Sequence, residues 1–224
     1  MIFDPTYMVI MLAAVVLSLW AGAKTKSAFN KYSKVRVMSG QTGAQAAHTL
    51  LDRAGITDVE IKQIRGNLTD HYNPMTKTLA LSEGVYGSNS VSAVGVACHE
   101  AGHAIQHAQN YAPMWVRSIL VKPASIGSRF GFYAIMIGLF IQSTGLFQIG
   151  VILFAVAVLF QLVTLPVEFD ASARAKRLAV EYGIVSGQEE AGVNKVLSAA
   201  AMTYVAAAAI SVMQLLYFIM RARD

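Results

Sequence analysis

The chain has 224 residues, of which 55% are hydrophobic and only 14% are charged, and it contains a single cysteine, Cys98. Because soluble domains average roughly 45–50% apolar and about 25% charged residues, this composition predicts a membrane protein and excludes a disordered chain, a disulfide scaffold and a compact soluble enzyme. The net charge of +5 does not indicate nucleic acid, because 16 of the 18 lysines and arginines lie between the first and last apolar runs, where cations orient a membrane protein and attract anionic lipid.

The first apolar run, residues 5–23, predicts a transmembrane helix at 1–23. The run ends in Ala-Gly-Ala, which resembles a signal-peptide cleavage site. A signal peptide, however, has basic residues before its apolar region, whereas this run has Asp4 before it and five cations after it, within 24–36. The sequence therefore predicts a retained anchor, and the positive-inside rule places the chain after it in the cytoplasm.

Residues 24–118 are more polar and are predicted to form a cytoplasmic zincin-like domain. The sequence at 42–45 is a capping box, which begins a helix. Two short strands are predicted at 59–64 and 77–81. A second helix is predicted to begin near Ser90 and carries most of the histidines.

Three further spans are predicted in the rest of the chain. Residues 130–141 alone are too short to span, but the run reaches spanning length when it extends back to residue 119 with Lys122 and Arg129 at the interface. The predicted segments are a transmembrane hairpin at 119–166 with spans at 119–141 and 146–166, a cytoplasmic helical segment at 167–195, a fourth transmembrane helix at 196–220 and a tail at 221–224.

Residues 99–103 read His-Glu-Ala-Gly-His, an HExxH sequence on the second predicted helix. Side chains four residues apart share one helical face, so His99 and His103 can bind the same zinc ion. Glu100 diverges from them and can accept a proton from a water at the metal, as a general base does. The alternative is a helix with packed or exposed histidines, but the small residues around the site and the preceding strand favour zinc.

A third zinc ligand must come from outside the HExxH sequence. On a straight helix His107 lies roughly 12 Å along the axis from His99, which is too far for zinc bonds near 2.1 Å. Glu168 lies at the end of the third predicted span, and an ionisable group at a membrane boundary is a candidate for function. The alternative for Glu168 is an interfacial ion pair with Arg174 or Lys176.

The topology is consistent with this third ligand. His99 and Glu168 can share a zinc ion only if they lie on the same side of the membrane, which requires an even number of spans between them. The spans at 119–141 and 146–166 satisfy that condition, so the zinc hypothesis supports the second span.

Segments along nearly the whole chain resemble the YugP-like membrane zinc metallopeptidases of bacteria. They are LTDHYNP at 68–74, LSEGVY at 81–86, HEAGHAIQ at 99–106, FQLVTLPVEFDAS at 160–172 and TYVAAA at 203–208. The chain is more distantly similar to membrane gluzincins of the HtpX and CAAX-protease type. These resemblances imply a bacterial, multi-pass cell-membrane protease, and the positive-inside rule places its catalytic domain in the cytoplasm.

The wider gluzincin pattern implies that a later glutamate, here Glu168, completes the zinc site. That pattern has an aspartate four residues after the ligand, where this chain has Ser172, and Asp170 lies two residues after it. Asp170 and Ser172 are therefore both candidates for the partner that orients a zinc-binding histidine.

Three other residues are candidates for contacts with a substrate or a transition state. Asp70 and His71 are predicted either to line a substrate cleft or to form only a turn, and the sequence does not separate these two roles. Tyr204 could donate a hydrogen bond to an oxyanion, although packing against neighbouring helices is the simpler role. Cys98 adjoins His99 but diverges from it by about 100° around the helix, so we expect it in the core.

The sequence thus predicts a membrane α+β protein with about four transmembrane helices and a cytoplasmic domain built on the HExxH helix and a small sheet. It predicts a metallopeptidase with one Zn²⁺ that acts on a peptide or membrane-protein substrate, with the lipid bilayer as a further partner and no nucleic acid partner. An extended substrate is expected to add along the strand at 77–82.

Two alternatives bear on this prediction. An intramembrane protease with HExxH inside a span is disfavoured by the polar sequence around 90–112. A membrane scaffold with a structural metal site and no hydrolytic activity is disfavoured by Glu100 and by the open coordination position, because structural zinc sites are usually closed by four protein ligands.

Overall fold

The computed structural model describes residues 4–222, so residues 1–3 of the predicted first segment and residues 223–224 of the predicted tail lie outside the described residues. The protein is mostly helical, with one small sheet. The elements are α1 (Pro5–Tyr32), α2 (Gly43–Arg53), β1 (Glu60–Ile64), β2 (His71–Asn73), β3 (Thr78–Ser82), α3 (Glu83–Tyr86), α4 (Val91–Ala108), α5 (Ala112–Phe140), α6 (Thr144–Glu181) and α7 (Gly187–Arg221).

The chain divides into two compact units. The helical unit comprises the chain up to Ala21, Ala112–Pro166 and the chain from Thr203 onward. The mixed unit comprises Gly22–Tyr111 and Val167–Met202, and it contains the whole sheet and α4. Helices α1, α6 and α7 each contribute residues to both units.

The sheet is three-stranded and mixed, in the order β1-β3-β2. β1 runs parallel to β3, with Glu60 opposite Thr78, and β2 runs antiparallel to β3, with His71 opposite Ala80. β3 is therefore central and has a partner on each side. The expectation that a substrate adds along the whole of 77–82 is wrong, because strand addition needs unpaired backbone groups, and β3 is paired with β1 along its length and with β2 at Thr78–Ala80.

Helix α2 begins as its sequence predicts. The Thr42 hydroxyl accepts a hydrogen bond from the Gln45 backbone N–H, and the Gln45 side chain accepts one from the Thr42 N–H. This reciprocal capping box satisfies two backbone donors that the first turn leaves without helical partners. The apolar face of α2 is buried in the core of the mixed unit, through Ala46, Ala47, Leu50 and Leu51.

Helix α4 is the central element of the mixed unit. Ser90 caps it by accepting a hydrogen bond from the Ala93 N–H. Nearly every side chain from Val91 to Gln106 is buried, many of them Ala or Gly, so neighbouring segments can pack close to its backbone. A Cβ atom at Gly102 would lie 2.7 Å from the carbonyl oxygen of Ala171, which shows that α6 packs directly against the HExxH turn of α4.

In the helical unit, α5 and α6 pack backbone to backbone. A Cβ atom at Gly127, Gly131, Gly138 or Gly150 would come within 3.0 Å of a backbone atom of the facing helix. Small residues that permit such close approach are typical of helix pairs in membranes, where van der Waals packing replaces the hydrophobic effect.

Three helices in residues 4–222 are long and apolar enough to cross a membrane: α1, α6 and α7. Helix α5 covers the second predicted span, 119–141, as one continuous helix, but it is not among those three. Lys122 and Arg129 lower the hydropathy of its middle part, so the fourth span stays a prediction.

Candidate metal centre

Three side chains from two helices converge in the mixed unit. His99 and His103 lie one turn apart on α4, and Glu168 lies on α6 just after Pro166. The Glu168 Oε2 atom is 3.2 Å from His99 Nε2 and 3.6 Å from His103 Nε2. One ligand atom from each residue lies within 4.8 Å of the other two, so the structure brings the three predicted ligands into one cluster.

This cluster is buried and favours positive charge. Glu168 is only 2% exposed, and a carboxylate in such a place is costly unless a cation or hydrogen-bond donors compensate it. Burial favours the neutral imidazole of His103, but the nearby carboxylates of Glu168 and Glu100 outweigh it and raise the pKa of His103 above its ordinary value. The site therefore attracts a proton or a metal ion.

Each histidine turns its other ring nitrogen toward a polar partner. His99 Nδ1 lies 3.1 Å from the Ser172 hydroxyl, and His103 Nδ1 lies 3.0 Å from Gln106 Oε1. Such contacts hold an imidazole so that Nε2 faces the metal, an arrangement common in metal sites. Ser172 is thus a direct partner of His99, whereas the Asp170 carboxylate accepts hydrogen bonds from Gln106 and Arg174.

The donor set fits zinc. Two imidazole nitrogens and one carboxylate oxygen are the three protein ligands of many catalytic zinc sites, and they leave a coordination position for water or substrate. His103 also fits a metal by its tautomer: with the Nδ1 proton donated to Gln106 Oε1, the neutral ring directs the lone pair of Nε2 toward Glu168 Oε2. Two acceptors that face each other need a cation between them.

Glu100 lies on α4 between the two histidines and is 8% exposed. Its charge contributes to the raised pKa of His103, so its carboxylate acts electrostatically on the cluster without belonging to it. This position suits a group that exchanges protons with a molecule bound at the cluster.

Other residues singled out from the sequence lie outside the cluster. His107 is in the last turn of α4, where its Nδ1 lies 2.8 Å from the Tyr72 hydroxyl. Cys98 is fully buried in the apolar core, and burial raises its pKa to about 12, so its thiol has no tendency to form a reactive thiolate.

The three candidates for substrate contacts occupy different places. The Asp70 carboxylate accepts hydrogen bonds from the Ser82 N–H and hydroxyl and so joins the segment before β2 to the end of β3. His71 is exposed on β2. Tyr204 lies on α7 within the helical unit. The role of each in substrate binding stays a prediction.

Gln106 is the residue that sequence analysis missed. Its side chain is fully buried and touches His103, Val167 and Asp170. The available signal was its position three residues after His103, which places both side chains on one face of the helix. A glutamine there, among alanines and glycines, needs a hydrogen-bond partner.

Comparison with known proteins agrees with this site. The model of a family described as "Putative neutral zinc metallopeptidase" matches residues 7–223. The chain is 49% identical over 209 residues to a Bacillus subtilis (strain 168) protein named "Putative membrane protease YugP". The alignment covers 93% of each of the two chains. No solved structure matches the chain.

Proposed function

The chain belongs to this zinc metallopeptidase family, as its resemblance to the YugP-like proteins predicted, and from that membership we propose that it hydrolyses peptide bonds with one Zn²⁺ held by His99, His103 and Glu168. The observation that carries the proposal is the convergence of these three donors on the inner faces of α4 and α6. The substrate is a peptide or a membrane protein, in keeping with the name of the Bacillus relative.

In the proposed reaction each residue has a distinct task. A zinc ion held by His99, His103 and Glu168 would supply a Lewis acid for the scissile carbonyl and would lower the pKa of a bound water toward neutrality. Glu100 takes one proton from the attacking water as the C–O bond forms, and it later gives that proton to the leaving amine as the C–N bond breaks. Ser172 and Gln106 hold the two imidazoles in place throughout.

A non-hydrolytic scaffold with a structural metal is the second candidate. Structural zinc sites are usually closed by four protein ligands, whereas the cluster among residues 4–222 offers three. A carboxylate beside the cluster is also unnecessary for a structural site. Both features favour the enzyme.

We further propose that α5 is the second of four spans and that the mixed unit lies in the cytoplasm. The backbone packing of α5 on α6 supports a membrane hairpin. The excess of lysine and arginine in residues 24–118 and 167–195 supports the orientation.

The proposed role of Glu100 is tested by Glu100→Gln in the full chain, purified in detergent. The variant should retain zinc, because all three ligands remain, and should lose hydrolysis of a mixture of quenched fluorescent peptides by at least about 100-fold, the usual contribution of a general base. Glu83→Gln, at an exposed position of α3, is the matched control and should keep wild-type activity. Wild-type turnover by Glu100→Gln, or complete loss of its zinc, would show that Glu100 is not the base.

A further inference from the structure

With zinc at the site of the proposed function, on which this inference rests, we infer that Gln106 is a positioning residue for the metal. It selects the His103 tautomer that presents Nε2, and Asp170 and Arg174 in turn hold the Gln106 amide in one orientation. The two histidines therefore have different supports: a hydroxyl for His99 and an amide anchored by a carboxylate for His103.

The orientation of the Gln106 amide follows from its neighbours. Its Nε2 atom lies 2.8 Å from the carbonyl oxygen of Val167 and 2.8 Å from Asp170 Oδ2. A carbonyl oxygen only accepts hydrogen bonds, so the NH₂ group of the amide must be on this side. The amide oxygen is thereby directed to His103 Nδ1, 3.0 Å away.

The state of His103 follows from the amide. An amide oxygen accepts only, so His103 Nδ1 must carry a proton and donate it. In the neutral ring this leaves the lone pair on Nε2, the atom that faces Glu168. Gln106 therefore excludes the tautomer with a protonated Nε2, which could not bind a metal.

Asp170 and Arg174 fix the outer end of this chain of hydrogen bonds. Arg174 donates from Nε to Asp170 Oδ2 and from a terminal nitrogen to Gln109 Oε1. Its guanidinium also lies over the Tyr111 ring, 5.6 Å from the centroid. The Asp170 carboxylate is held at the Gln106 amide and is not part of the metal cluster.

Because Gln106 is buried, its amide must find its hydrogen-bond partners within the protein. Its side chain is 0% exposed, and burying an amide without hydrogen bonds destabilises the fold. Both ends of the amide have partners, so the polar network is satisfied and can specify one arrangement.

Gln106→Met and Gln106→Glu separate positioning from a merely structural role. Methionine has a similar shape but no acceptor, so zinc affinity, measured by competition with a chromophoric chelator, should fall about 10–100-fold. Glutamate keeps an acceptor for His103 Nδ1, so it should bind zinc more tightly than the methionine variant. Thermal stability without metal should follow the opposite order, because a buried carboxylate is costlier than a thioether.

Ile105→Ala is the matched control, since Ile105 is the adjacent buried residue of α4 and belongs to the apolar core. It should lower the melting temperature and leave zinc affinity within about threefold of wild type. Asp170→Asn should weaken zinc binding less than Gln106→Met, and combining the two should weaken it no further, because residues of one network are not additive.

The outcomes distinguish the inference from the proposed function. If the wild-type protein binds no zinc, the proposed function and the inference both fail. If the wild type binds zinc and Gln106→Met binds it equally well, or if Ile105→Ala loses as much affinity, Gln106 has no positioning role and the zinc peptidase remains. Weaker binding by Gln106→Glu than by Gln106→Met also overturns the inference.

Discussion

Glu168 is the residue on which the proposed metal centre depends. The alternative to a ligand was an ion pair with Arg174 or Lys176. In the structure the Arg174 guanidinium hydrogen-bonds Asp170, and Glu168 Oε2 faces both histidines. A carboxylate that is 2% exposed and next to two imidazoles fits a ligand better than an interfacial charge.

Replacing Glu168 with Gln should weaken zinc binding, because a neutral amide is a poorer ligand than a carboxylate. Loss of a residue that only hydrogen-bonds a metal ligand typically costs about 10–100-fold in affinity, so loss of the ligand itself should cost at least that much. Activity should fall with zinc occupancy, and membrane insertion should be unchanged. The measurement is zinc content and chelator competition on detergent-purified protein. Glu181→Gln, at the exposed end of the same helix, serves as the control, and equal zinc affinity in both variants would contradict the assignment.

At the scale of elements, the site depends on how closely α4 and α6 approach each other. Gly102 makes this approach possible, because a side chain there would meet the backbone of α6 at Ala171. Since Ala171 lies between Glu168 and Ser172, the same contact sets the distance from both of them to the histidines. Close packing of α4 against α6 therefore requires a glycine at this position of the HExxH sequence.

Gly102→Ala should therefore weaken zinc binding. Its Cβ atom would lie 2.7 Å from the Ala171 carbonyl oxygen, so the two helices must separate and carry Glu168 away from His99. We expect a loss of about 1–3 kcal/mol in stability, the usual cost of overpacking, and lower zinc affinity, measured by thermal melting and chelator competition. Gly84→Ala, where a Cβ atom meets nothing within 4 Å, should change neither; unaltered zinc affinity in Gly102→Ala would contradict the packing argument.

The sheet shows where a local reading of the sequence was insufficient. β3 is buried from Leu79 to Ser82, on both faces of the sheet, and a short continuous apolar run of this kind is typical of a central strand. β2 has only three residues and lies in a segment predicted to be a turn, so periodicity could not reveal it. Without β2, β3 looks like an edge strand.

For the whole molecule, the distribution of cations bears on the orientation in the membrane. Fourteen lysines and arginines lie in residues 24–118 and 167–195, whereas Arg221 and Arg223 are the two predicted outside. Because the cytoplasmic loops of membrane proteins carry the excess of cations, this asymmetry predicts a cytoplasmic mixed unit. An even number of spans between His99 and Glu168, which α5 and α6 would provide, is required to keep both residues on that side.

Cysteine labelling tests this topology. In a Cys98→Ser background, a membrane-impermeant maleimide added outside intact cells should react with Thr144→Cys and not with Lys62→Cys. Position 62 should react after the membrane is permeabilised, which controls for its accessibility. Labelling of position 62 in intact cells, with position 144 protected, would reverse the orientation; labelling of both would remove α5 as a span.

The sequence by itself predicted the two histidines on one helical face, the capping box of α2 and the three apolar helices. Each depends on the period of the helix or on the composition of one segment, and these are properties of neighbouring residues. The family could also be identified from short motifs spread along the chain, because their combination is far more specific than HExxH alone.

Only the tertiary structure showed that β3 is the central strand. Only the tertiary structure showed, too, which side chains hydrogen-bond His99 and His103, and that Gln106 is one of them. Each of these depends on contacts between segments far apart in the chain, such as Gln106 on α4 with Val167 and Asp170 on α6. A sequence shows that a buried amide will need partners, since the cost of leaving it unpaired is general. Which partners it meets depends on the packing of α4 against α6, and that packing is set by small residues such as Gly102 and Ala171 on two different helices.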